Sequence, residues 1–275
     1  LANVSERQEK VISKMRDIQE SNSTFQEVWG MYARGAGGEV VEFPGVVATW
    51  AGVQWPIVNV LFLSNPANSL EDLEERLGRV ATFTAAKQNP GMLIGCDEWL
   101  PDHAGPLFEK HSWIRISQAY GMVSENPVAA VSVDGMEYRR VDSQELRQAV
   151  ADINAAGYEV SSEMAREALD HENLWTEGCF GYVGFFQQAP VVTSTTYVRD
   201  GYLYVALVAT LPEFRSRGFA KAITSYSIEE ARKASGLQRT ILHATPMAKS
   251  LYESLGFQTV TTFPMFLPSA LLVGS

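Results

Sequence analysis

Residues 208–223, VATLPEFRSRGFAKAI, set an apolar β-type run against a basic, glycine-bearing segment that turns directly into a helical pattern. Tyr202 to Thr210 reads as a strand and Pro212 ends its ladder. A helix is expected from Gly218, with Phe219, Ala222, Ile223 and Tyr226 on one face. Gly218 lacks a Cβ, so it can take positive φ and let the backbone come close to a ligand. The first N–H groups of the following helix have no acceptors within it, and the helix dipole places partial positive charge there. Arg215 and Arg217 add formal charge and Lys221 sits one turn in, so donors and cations converge where a diphosphate would dock.

The flanks extend this reading in both directions. Residues 179–210, CFGYVGFFQQAPVVTSTTYVRDGYLYVALVAT, form three expected strands joined by a Gln-Gln-Ala-Pro turn and by Asp200-Gly201, a strong hairpin signal. Residues 241–257, ILHATPMAKSLYESLGF, read as a strand followed by a helix. Upstream of the meander, MEYRRV (136–141) is strand-like. DSQELRQAVADINAAG (142–157) is a capped helix ending at Gly157, and a second helix covers 161–174.

Arg215, Ser216, Arg217, Gly218, Phe219 and Ala220 match the element [QR]-x-x-G-x-[GA], and the segment resembles motif A of the GNAT superfamily of N-acetyltransferases. Residues 241–257 resemble that family's motif B, whose helix ends in LYE-x-LGF, and the two motifs with the strand meander before them cover most of 136–265. The resemblance implies that Arg215 to Ala220, with Lys221, hold the pyrophosphate of the co-substrate acetyl-CoA. It also implies that Val208, Ala209 and Thr210 pair with the pantetheine arm and that an N–H of Val208 or Ala209 polarises the acetyl carbonyl. Tyr252 takes the place of the general acid beside the sulfur, and a phenol can protonate a thiolate as charge builds on it. Thr240 and Thr245 stand where many members carry a carboxylate and an asparagine that touches CoA, so no general base is evident. His243 has the intrinsic pKa to accept a proton through a water and enters as the candidate.

The first half supplies a fainter echo. A helical pattern over 4–34, with Val11, Ile12, Met15 and Ile18 on an apolar face, is expected as two helices broken at SNST (21–24). A loop over 33–45 follows. Strands are expected at 45–52 and 56–63, a helix capped by Ser69 at 69–87, a strand at 91–96, a short helix at 104–111 and a strand at 113–123. The order is that of the same core, but LSNPANSLEDLEERLG (63–78) puts acids where Arg215 and Arg217 stand, and acids repel a diphosphate. The chain is therefore expected to be an α/β (α+β) protein of two GNAT-like domains, each a mixed, mostly antiparallel sheet flanked by helices. Residues 1–133 form the degenerate copy and 134–275 the acetyltransferase domain. The first is expected to complete a cleft, with Trp50, Trp55 or Trp99 shaping an acceptor site.

Composition bounds the function. A net charge of -10 over 275 residues argues against nucleic acid. No apolar run of about 18 residues occurs and the start is charged and helix-like, so a cytoplasmic chain with no membrane partner is expected. Cys96 and Cys179 read as buried small hydrophobes. His103, His111 and His171 have no ligand spacing, and no metal is expected. The expected activity is acetyl transfer to a primary amine, a small or amino-acid-like molecule first and a peptide N-terminus or lysine next, by a monomer or homodimer. The alternative is an acyl-CoA-binding sensor without turnover.

Overall fold

The computed structural model describes residues 2–127 and 129–272, with side chains from residue 12. Helix α1 (Ala2–Gly35) runs unbroken through SNST, where a break was expected. The hydroxyls of Ser23 and Thr24 donate to the carbonyls of Glu20 and Ser21, each at 3.0 Å, so these polar residues are satisfied within the helix instead of ending it. Their small size also has a use: a Cβ on Gly121 would lie 2.5 Å from Ser21 Oγ, so the helix rests directly on the sheet. Of its expected apolar face, Ile18 is buried, Ile12 and Met15 stand exposed, and the side chain of Val11 lies outside the described residues.

Strands β1 (Glu39–Phe43) and β2 (Val46–Trp50) form a hairpin, so the stretch expected as a loop carries a strand. Next come β3 (Asn59–Leu63), α2 (Leu70–Ala85), β4 (Met92–Ile94), α3 (Gly105–Lys110) and β5 (Trp113–Ser124). Ser69 caps α2 as expected, its hydroxyl accepting the Asp72 N–H at 3.1 Å. The second half runs β6 (Met136–Arg140), α4 (Gln144–Tyr158), α5 (Ser162–Leu169), β7 (Cys179–Phe186), β8 (Ala189–Val198), β9 (Leu203–Thr210). It ends with α6 (Phe219–Ser235), β10 (Thr240–Ala244), α7 (Lys249–Glu253) and β11 (Gln258–Pro268). Helix α4 continues past Gly157 and is stopped by Glu159, whose φ of 57° is left-handed. Gly157 instead faces β9, where an added Cβ would stand 3.4 Å from that of Ala209.

The sheet is mixed and mostly antiparallel, flanked by helices, as expected. Among the described residues its eleven strands are continuous, in the order β1-β2-β3-β4-β11-β5-β10-β9-β8-β7-β6, where two separate sheets were expected. The cause is an exchange. Strand β11 pairs with β4 of the first half through Met265 and Phe266, while β5 pairs with β10 of the second half from Ser124 to Tyr120. Along the middle, β5 and β11 pair with each other from Val123 to Trp113. The parallel pairs are β3 with β4 and β9 with β10, one in each half. Cys96 and Cys179 are free and buried, and burial pushes both thiols up to about 12.

Candidate active site

The site begins with a defect in β9. Its register against β8 shifts between the pairs Thr193 with Ala209 and Thr195 with Ala206, and Leu207 sits in the bulge at φ 52°. A leucine held there is strained, and buried polar groups hold it: Thr193 Oγ1 donates to the Leu207 carbonyl at 2.7 Å, and Asn154 Nδ2 of α4 donates to Thr193 Oγ1 at 3.2 Å. The consequence lies on the other edge. Strands β9 and β10 pair only over Leu203–Val205 with Thr240–Leu242 and then separate. The gap is a cavity of about 890 Å³ walled by Ala206 to Thr210 on one side and His243 to Met247 on the other.

One end of the cavity is the loop between β9 and α6. Ser216 (φ 62°) and Gly218 (φ 81°) turn the backbone so that α6 starts at the cavity mouth. The first intrahelical bond runs from the Ala222 N–H to the Gly218 carbonyl at 3.0 Å, which leaves the N–H groups of Phe219, Ala220 and Lys221 without acceptors in the helix. Ser216, Gly218, Phe219, Ala220 and Lys221 all line the cavity, as does Arg215, whose Nε donates to the Thr210 carbonyl at 3.3 Å. Arg217 is different. It is exposed and turned back on its own loop, Nη2 at 3.4 Å from the Glu213 carbonyl and the guanidinium 5.2 Å over the Phe214 ring, and it does not line the cavity. Thr210 Oγ1 is buried with no hydrogen-bond partner among the described residues.

Midway along sit Val208, Ala209, Thr245 and Tyr252. Tyr252 is 5% exposed, its hydroxyl has no hydrogen-bond partner among the described residues, and burial raises its pKa above the ordinary phenol value. His243 also lines the cavity, but both ring nitrogens are engaged: Nε2 with Ser21 Oγ at 3.1 Å and Nδ1 with Tyr204 OH at 2.7 Å. Phe25 stacks on the ring at 3.7 Å, and burial pushes its pKa down to about 3. A ring so held is a neutral part of the wall with neither nitrogen free, which does not suit the proton-acceptor role expected of it. Thr240 is buried and bonds the Gln238 carbonyl, away from the cavity.

The far end is aromatic and comes largely from the first half. Trp29 and Tyr32 of α1, Trp55 and Val58 of the β2–β3 link, and Tyr158 of α4 form it, with the Trp55 and Tyr158 rings 5.6 Å apart. Of the three tryptophans expected near an acceptor, Trp55 lines the cavity, whereas Trp50 packs in the core below α2 and Trp99 lies beside the core under α1. Trp29, an expected apolar position of the first helical pattern, and Tyr32, Asn154 and Tyr204 were not expected at the site. Each lies far in sequence from the two motifs or carries no spacing of its own, and only folding brings it to the cavity.

The equivalent place in the first half is closed. Strand β3 pairs with β2 without a register shift, and the loop before α2 is filled by Arg76, buried at 4% exposure. Its guanidinium donates to the carbonyls of Asn65 at 2.7 Å and Pro66 at 3.0 Å and to both carboxylate oxygens of Asp72 at 2.9 Å. That contact holds the Asp72 carboxyl below the usual range. Carbonyls and a carboxylate thus stand where the second half presents N–H groups.

Comparison with known proteins agrees with this geometry. Residues 147–263 match the model of the acetyltransferase (GNAT) domain family. A GCN5-related N-acetyltransferase from Kribbella flavida superposes with a TM-score of 0.66 at 18% identity, covering 88% of this chain and 95% of that one. One from Sphaerobacter thermophilus gives 0.57 at 13% identity, covering 81% and 76%. A tandem GNAT protein from the clavulanic acid biosynthesis pathway gives 0.51 at 9% identity, covering 76% and 74%. At such identities the likeness is one of fold, and it extends over both halves. No curated protein gave a significant match. Among the described residues no group of three or more His, Cys, Asp or Glu gathers as a metal would need, and no helix is long and apolar enough to cross a membrane.

Proposed function

We propose that the cleft between β9 and β10 binds acetyl-CoA and that the protein moves its acetyl group to a primary amine by direct attack in a ternary complex. The observation that carries this reading is the meeting, in one cavity, of an open strand edge, an anion-receiving helix start and a tyrosine hydroxyl with no partner among the described residues. The N–H groups of Phe219, Ala220 and Lys221, with the cations of Arg215 and Lys221, suit a diphosphate, and Ser216 and Gly218 supply the turn. The edge of Val208 to Thr210 suits an amide-bearing arm, and the orphaned Thr210 hydroxyl and Thr245 lie on opposite walls of the same channel. An N–H of Val208 or Ala209 polarises the acetyl carbonyl. Tyr252, kept protonated by its raised pKa, gives its proton to the leaving sulfur. Arg217 contributes its backbone to the turn; its side chain is not assigned to the diphosphate. We also assign residues 1–133 as a degenerate half that completes the cleft and 134–275 as the catalytic half, acting in the cytoplasm on a small-molecule amine.

The test is thiol release from acetyl-CoA with a panel of amines. Tyr252→Phe is expected to lower kcat by about 10²-fold or more while CoA affinity is kept. Folded protein that binds CoA yet turns over none of the panel would establish the sensor reading instead.

A further inference from the structure

The ionisable side chains lining the described cavity divide sharply. Arg215 and Lys221 stand at the helix-start end; toward the aromatic end the ionisable groups are Tyr32 of α1, Tyr158 of α4, Tyr204 of β9, His243 of β10 and Tyr252 of α7. No aspartate or glutamate is among the described lining residues. An ammonium ion entering this end finds no carboxylate counter-ion among the described lining residues, only ring faces to offset its lost hydration. It also finds no base. The phenols are neutral and pushed upward by burial, and the imidazole is neutral and pushed down to about 3.

From this we infer that the acceptor is an aromatic amine of low basicity, uncharged at neutral pH, seated against Trp29, Trp55 and Tyr158. The inference rests on the acetyl-transfer reading of the same cavity and deepens it. Trp29, Trp55 and Tyr158 line this end, with the Trp55 and Tyr158 rings packed edge-to-face at 69° between planes, so an aromatic ring entering it meets aromatic partners. The reaction balances without an outside base. The amine lone pair forms the C–N bond as the C–S bond breaks, Tyr252 protonates the sulfur, and the acidic N–H of the newly acylated nitrogen returns one proton to the Tyr252 oxygen. Amine and acetyl-CoA become amide and free thiol. An alkylamine with the basicity of a lysine must first lose an ammonium proton, and only roughly one molecule in 2,500 has done so at pH 7.

The experiment measures kcat/KM with acetyl-CoA for an arylamine, an aromatic alkylamine and an aliphatic diamine at several pH values between about 6.5 and 8.5. The arylamine is expected to be the best substrate, with kcat/KM changing by less than about twofold across the range, while the alkylamines rise about tenfold per pH unit. Trp55→Ala is expected to raise the arylamine KM about tenfold with CoA affinity by calorimetry unchanged; Trp55→Phe, which keeps a ring, should keep most of the arylamine binding. Efficient, pH-independent turnover of alkylamines with arylamines inert overturns the inference while acetyl transfer stands. So does a preference for long-chain acyl-CoA that Trp55→Ala abolishes, because the aromatic end is then an acyl pocket. A folded protein that binds CoA and acetylates no amine overturns both readings.

Discussion

His243 shows how burial sets a residue's role. A histidine with the intrinsic pKa of a base becomes, between Phe25, Ser21 and Tyr204, a neutral hydrogen-bonded strut. Its folded pKa of about 3 lies below the unfolded value of 6.5, so between these the unfolded chain binds the extra proton. Its contribution to stability is therefore full above pH 6.5 and is lost as pH falls toward 3. Relative to His243→Gln, the native chain is expected to lose up to about 1.4 kcal/mol per pH unit in that window, measured by urea unfolding; parallel pH profiles would contradict it. At Gly218 the positive φ is the constraint: an added Cβ has room, 3.7 Å from Val133 Cγ2, but not the backbone conformation. Gly218→Ala is expected to cost about 1 kcal/mol by thermal unfolding and to weaken CoA binding, since relaxing the strain re-aims the N–H groups of α6. The residue scale also marks the limit of a motif. Arg217 carried as much of the sequence argument as Arg215, yet its side chain faces away from the cavity, because sequence spacing does not say which rotamer the Phe214 ring and the Glu213 carbonyl select.

Elements were legible where their signals are local. The caps of α2 and α4 at Ser69 and Ser143, the turns of the β7–β9 meander and the strand-to-helix switch at Gly218 all rest on neighbours within a few residues. The unbroken α1 was not, since Ser21 and Asn22 look like breakers until the sheet buries them. Nor was the bulge at Leu207, because nothing in VALVAT announces a left-handed leucine; its partner Thr193 is fourteen residues away. The bulge is expected to depend on that partner. Thr193→Val keeps the shape, removes the donor to the Leu207 carbonyl, and should cost about 1–3 kcal/mol in unfolding free energy and lower acetyl transfer. Unchanged stability and turnover would show that the splay of β9 from β10 has another cause.

At the scale of the whole molecule, the reciprocal placement of β5 and β11 ties two similar halves into one sheet. Sequence patterns carried the order of elements in each half but not the exchange, which is a long-range pairing with no local mark. Its consequence is cooperative. Residues 134–275 expressed alone would lack β5, leaving β10 and β11 with open edges, and should fail to give a stable monomer. The intact chain is expected to unfold in one calorimetric transition; two well-separated transitions would contradict a shared sheet. The asymmetry of the halves matters as much as their joining, since one loop before a crossover helix presents N–H groups and the other is filled by Arg76 and Asp72. Isothermal titration of the full chain with CoA tests that most directly. One equivalent should bind, with affinity reduced at least about tenfold in Arg215→Glu; absence of binding, two equivalents, or an affinity indifferent to that charge reversal would contradict the account.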